Sequence, residues 1–228
     1  MSSMRLLLIS SSNVHGYGYL DQPEPFIREF LADRKVVAFV PFAAHDHAVY
    51  TAKIAERLGR MGFDVVPVAE LNRADAIFVG GGNTFRLLKT LYERNLLADI
   101  RSRVEGGLSY VGSSAGSVIT SPTIRTTNDM PIVQPPSFDS LGLVPFQLNC
   151  HYLDPDPSST HKGETREERL REFHEDNPTA VVGLREGTCL RVDDDRATLV
   201  GDRQARIFRR GEAPFEVDPG TRIDQVVR

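Results

Sequence analysis

Apolar residues along the chain gather into short runs, separated by stretches in which they recur every three or four positions. The runs are RLLLIS (5–10), KVVAFVPF (35–42), DVVPV (64–68), DAIFVGG (75–81), LSYVG (108–112), FQLNCHYL (146–153) and TAVVGL (179–184). Several are continuous rather than alternating, which is how strands covered on both faces read. Residues 48–62, 83–107 and 165–176 carry the helical period between them. Strand alternating with helix predicts a mainly parallel sheet with helices on both faces, a three-layer α/β architecture.

The pattern changes at residue 187, where GTCLRVDDDRATLVGDRQARIFRRGEAPFEVDPG reads as short strands joined by Asp/Gly turns. A C-terminal antiparallel β extension of the sheet is expected there. No repeat, low-complexity tract or linker divides the 228 residues, so one α/β domain over 1–228 is expected. The Pro-rich PIVQPPSFDSLGLVP (131–145) predicts a long irregular loop, a feature often tied to function.

Composition narrows the partners. A net charge of −4, with bases scattered among acids, leaves no footprint for nucleic acid or an anionic membrane. The apolar run in MSSMRLLLISSSN falls far short of the ~20 residues of a membrane span and reads as the first strand. Two cysteines, Cys150 and Cys189, are too few for a disulfide framework and point to a reducing cytoplasm, with a single bridge between them left open.

Candidate chemistry centres on YVGSSAGSV (110–118). Gly112-x-Ser114-x-Gly116 has the spacing of a nucleophile elbow, a sharp strand-to-helix turn that holds out a serine. The alternative is a small-residue turn in which Ser114 caps the helix. One strand earlier, FVGGGNTFRLL (78–88) runs through three glycines into a helix, with Phe85 where a dinucleotide fingerprint needs glycine and no Walker lysine after it. Two adjacent loops, one with a serine and one with backbone N–H donors, suit a nucleophile and an oxyanion hole.

A serine nucleophile needs a base. His15 lies in an early loop, His161 and His174 flank a charged helix, and His45 and His47 have no further obvious metal ligand. His151 lies in the strand 146–153, where alternation puts Gln147, Asn149 and His151 on one face and Cys150 on the other. That opposes a Cys–His dyad and frees His151 to meet a serine. Glu186 and Asp129 are the candidate acids to orient it; Glu186 is preferred because it follows a strand, and Asp129 then suits a substrate ammonium group.

Together VGGGNTF, GSSAG, PTIRTTNDMPIV, NCHY, HKGETREERL and GLREG resemble the peptidase E family, the α-aspartyl dipeptidases, in order over residues 35 to 190. The resemblance implies a fold like that of class I glutamine amidotransferases, flavodoxin-like, with serine in place of cysteine at the elbow. It implies hydrolysis of dipeptides whose N-terminal residue is aspartate. Carried over by position, Ser114 is the nucleophile, His151 the base and Glu186 the acid, the Gly82 and Ala115 N–H groups form the oxyanion hole, and Asp129 is a further active-site acid. Many members carry Trp before the nucleophile, where this chain has Ser113.

An aspartate side chain calls for a fixed cation: Arg166 first, then Arg125 and Lys162, with Asn83 of the glycine turn counted as a further substrate contact. No metal or organic cofactor is required, and both monomer and homodimer stay open. The competing readings are a cyanophycinase-like or isoaspartyl amide hydrolase, and a non-catalytic module binding a small anion at residues 80–84.

Overall fold

A computed structural model describes residues 3–156, 158, 160 and 162–227 of the chain. Strands β1 (Arg5–Ile9), β2 (Val36–Val40), β3 (Asp64–Pro67), β4 (Ala76–Val79) and β5 (Ser109–Ser113) pair in parallel in the order β3-β2-β4-β5-β1. All but β3 are almost wholly buried, which is why their sequences are apolar without alternation.

Alternate residues of these strands serve two cores. Leu7, Ile9, Phe39, Phe78 and Val111 pack beneath helices α1 (Glu24–Phe30) and α2 (His47–Arg60). Leu6, Leu8, Ala38, Ile77 and Tyr110 pack beneath α3 (Thr84–Glu93), α4 (Leu97–Glu105) and the short α5 (Ala115–Val118). The result is the expected helix–sheet–helix layering.

The stretch 83–107 forms two helices rather than one. Asn95 takes a positive φ of 55° between them, a conformation that ends α3 without any Gly or Pro to announce it. Helix α1 has no counterpart among the helical stretches of the sequence pattern, because it is short and opens at Pro23.

Half of the antiparallel extension joins the large sheet, β8 (Thr188–Asp193) beside β1 and β9 (Arg196–Gly201) beyond it. The rest builds a second sheet. There β6 (Gln147–Cys150) runs parallel to β7 (Val181–Leu184), and β10 (Ala205–Phe208) and β11 (Phe215–Val217) extend it in the order β11-β10-β7-β6. Leu148, Val182 and Ile207 of this sheet share the core with Leu6 and Leu8 of the first. Helix α6 (Arg166–Asp176) covers the other side through Leu170, against Tyr152, Val181 and Phe208. Its Thr165 and Glu168 form a capping box. Helix α7 (Ile223–Val226) closes the chain.

Candidate active site

The carboxyl ends of β1, β4, β5, β6 and β7 converge, and the loops that leave them carry the polar groups flagged in the sequence. Ser114 follows β5 with φ 52° and ψ −112°, a region that non-glycine residues rarely occupy. Its neighbours dictate the glycines. A Cβ on Gly112 would lie 2.5 Å from the Gly116 carbonyl oxygen, and one on Gly116 would overlap the Val79 carbonyl of β4. The elbow therefore exists because α5 and β5 approach closer than any side chain allows.

The Ser114 hydroxyl is 2.8 Å from His151 Nε2, and His151 Nδ1 is 2.8 Å from Glu186 Oε1. Serine, imidazole and carboxylate thus stand in one line, drawn from both sheets. Strand β6 ends at Cys150, so the expected alternation stops one residue short of His151. His151 turns out of the strand with φ 53°, and this turn, rather than strand alternation, aims the ring at Ser114. Its N–H donates to Ser10 Oγ at 3.1 Å, while the Ser10 hydroxyl donates to the Leu184 carbonyl at 2.8 Å. Ser10 therefore ties the end of β1 to the ends of β6 and β7, a role that sequence reading missed; the only signal is a run of serines directly after an apolar strand.

The glycine turn lies against the elbow. A Cβ on Gly81 would come 3.1 Å from Ser114 Cβ, and Gly82 has φ 133°, where a Cβ would come 2.5 Å from the Ala43 carbonyl oxygen. Among the described residues, neither the Gly82 nor the Ala115 N–H donates to a backbone acceptor, so both remain open beside the serine.

Asp129 sits at the rim. Its Oδ2 accepts from the Thr84 N–H at 2.7 Å, from Thr84 Oγ1 at 2.6 Å and from Thr127 Oγ1 at 3.2 Å. Asn83 is occupied in capping α3: its Oδ1 accepts from the Arg86 N–H, and its Nδ2 donates to the Met130 carbonyl. Arg125 lies over the Phe138 ring at 5.2 Å and shares a cavity of about 620 Å³ with Asp129. Arg166 lines a separate depression with Asn128 and Asp154, where burial and the nearby Arg169 pull its guanidinium down from its ordinary value and Asp129 acts in the opposite sense. Lys162 is exposed, and His161 lies outside the described residues.

A cavity of about 530 Å³ holds Ser114, His151, Gly81, Gly82 and Asp129, walled by Ser12, Tyr19, Tyr50 and Lys53. Ser113 does not line it: it is fully buried behind Ser12, with the two hydroxyls 2.5 Å apart. Cys150 is unsuited to nucleophilic work, since burial pushes its thiol up to about 12. Both cysteines are free. His47 packs on Phe42 at the start of α2, and Asp46, between His45 and His47, caps that helix. Among the described residues no cluster of three His, Cys, Asp or Glu could hold a metal ion. No described helix is long and apolar enough to cross a membrane.

Comparison with known proteins matches this chain to peptidases. The sequence model of peptidase family S51 covers residues 6–200. Peptidase E of Streptomyces coelicolor is 54% identical over 98% of this chain and 95% of its own length. A protein of Drosophila melanogaster named "Probable alpha-aspartyl dipeptidase" is 50% identical over 96% of this chain and 95% of its own length. Among solved structures, a peptidase from an acI-B1 actinobacterium shares the fold, with TM-score 0.69, 21% identity and coverage of 97% of this chain and 96% of its own.

Proposed function

The chain belongs to peptidase family S51 and is a serine-type dipeptidase, and from that premise we propose that it cleaves dipeptides with N-terminal aspartate through Ser114, His151 and Glu186. The observation that carries this reading is the line of contacts at 2.8 Å and 2.8 Å from hydroxyl to imidazole to carboxylate. Nε2 accepts the Ser114 proton as Oγ attacks the peptide carbonyl. Glu186 holds the ring in the tautomer that leaves Nε2 free and balances the imidazolium that forms. The Gly82 and Ala115 N–H groups receive the oxyanion. Imidazolium then protonates the leaving amino acid, and water, deprotonated by the same histidine, releases aspartate from Ser114.

Asp129 suits the substrate ammonium, held ready by Thr84 and Thr127. Arg166 suits the side-chain carboxylate: it has no ion pair among the described residues, and Asp129 lies within its electrostatic reach. The core shared by the two sheets supports one folded unit. Two free, buried cysteines fit a reducing, cytoplasmic setting.

Release of amino acid from Asp-Leu, Glu-Leu, Ala-Leu and β-Asp-Leu tests the reading, with wild type and Ser114→Ala side by side. Cleavage of Asp-Leu alone, lowered in kcat by ~10⁴ or more in the variant, is expected. Cleavage of β-Asp-Leu in its place would assign the isoaspartyl reaction instead.

A further inference from the structure

The cation candidates singled out in the sequence, Arg166, Arg125 and Lys162, do not line the cavity that holds Ser114 and His151. The cation that does is Lys53, on α2. Its Nζ lies 3.7 Å from the centre of the Tyr19 ring, and among the described residues it has no carboxylate partner. Beside it the Tyr19 hydroxyl donates to that of Tyr50 at 3.3 Å, and the Tyr50 hydroxyl lies 2.6 Å from where a Cβ on Gly80 would be, at the start of the glycine turn. Burial raises both phenols, so they stay protonated donors at neutral pH.

We propose that Lys53, on its Tyr19–Tyr50 platform, binds the free C-terminal carboxylate of the leaving residue and so restricts this dipeptidase to substrates that end one residue after the scissile bond. The inference rests on the Asp-X reading above and deepens it. The two faces of the sheet separate the two ends of the substrate. Helix α2 packs on one face through Ile54 and Leu58, and α3, whose Thr84 holds Asp129, packs on the other through Leu87, Leu88 and Leu91. Ser114 stands at the sheet edge between them. A dipeptide with its ammonium at Asp129 and its carbonyl at Ser114 extends its leaving residue toward α2, where the unpaired ammonium waits. The cation–π contact holds that ammonium in place without neutralising it, so the charge stays available to a carboxylate. Lys53 is exposed and is not among the buried residues of α2, Ile54 and Leu58.

The test compares kcat/KM for Asp-Leu, Asp-Leu-amide and Asn-Leu in wild type, Lys53→Met and Lys53→Arg, with melting temperatures recorded for each. Wild type is expected to prefer Asp-Leu over its amide, and Lys53→Met to lose about 10-fold or more of that preference, chiefly through KM. The preference for Asp-Leu over Asn-Leu should stay, and Lys53→Arg should recover part of the acid-to-amide ratio. An acid-to-amide ratio unchanged in Lys53→Met overturns the proposal, as does a wild type indifferent to the amide. Collapse of the Asp-over-Asn preference instead would assign Lys53 to the aspartate side chain and equally overturn it. A wild type inactive on Asp-Leu would be a different failure, that of the Asp-X reading itself.

Discussion

Ser114 rises from the large sheet, His151 and Glu186 from the small one, and different physics holds each. At the elbow the determinant is space: Gly112 and Gly116 let β4, β5 and α5 approach to a distance that any side chain would block. At the small sheet it is polar pairing. Arg185, next to Glu186, donates to Asp154 at 2.7 and 2.8 Å, to Glu216 at 2.8 and 3.0 Å and to the Gln204 carbonyl at 2.8 Å. Arg206 adds Glu216 at 2.7 Å and Glu167 at 2.9 Å. The nucleophile side should therefore fail on added volume, and the base side on lost charge or lost hydrogen bonds.

The strongest probe of the base side is Glu186→Gln, which keeps shape and removes charge. Its kcat should fall by ~10³ with the melting temperature unchanged, because the imidazolium loses its counter-charge and its tautomer is no longer dictated. A loss of stability equal to that of a core mutant would instead make Glu186 structural.

On the nucleophile side Gly116→Ala adds a single methyl group against the Val79 carbonyl. Overpacking of this kind costs about 1–3 kcal/mol, and the shifted serine should cost ~100-fold in kcat. Thermal melts and steady-state rates read the two effects separately. An alanine tolerated with full activity would show that the elbow has slack.

Ser10→Ala cuts the bridge between the sheets and leaves the His151 N–H and the Leu184 carbonyl without this partner. About 10-fold in kcat is expected, with a modest drop in melting temperature. The split matters: a stability loss without a rate loss would mean that Ser10 does not position the histidine.

The smallest effect concerns pH. Hydrogen bonds from Arg185 hold the Asp154 carboxyl below its ordinary value; at Glu216 burial pushes the other way, and the bonds from Arg185 and Arg206 outweigh it. Depressed carboxylates stabilise the fold fully above the ordinary carboxylate value near pH ~4, and that stabilisation is lost as pH falls through their lower folded values. Arg185→Met should thus be less stable than wild type at neutral pH, with the gap closing below pH ~4 in denaturant titrations. A gap independent of pH would point to lost packing over Tyr152 instead.

The contrast between the sheets also explains what could be read in advance. Continuous apolar runs at 5–10, 35–42 and 75–81 mark strands buried on both faces, and the elbow and glycine turn announce themselves because only glycine fits. The second sheet was illegible: whether β6 and β7 continue the first sheet or found another depends on pairing with β10 and β11, some twenty or more residues beyond β7 in the chain and invisible to local pattern. His151 stands out in the sequence by its residue type, while its turned backbone does not, since nothing local distinguishes it from a strand residue. Lys53 stays hidden for the opposite reason: a lysine on an amphipathic helix reads as solvated surface, and only the folded chain sets it beside Tyr19 in the cavity with Ser114.

An aspartyl ester on Ser114 should partition between water and an added nucleophile in a ratio set by the ester alone. Wild type would be run on Asp-Leu and Asp-Phe with hydroxylamine present, and aspartyl hydroxamate and aspartate both quantified. A common acyl-enzyme predicts the same hydroxamate-to-aspartate ratio from both dipeptides, with both products lost in Ser114→Ala. A ratio that follows the leaving residue, or hydrolysis that persists in Ser114→Ala, would contradict it.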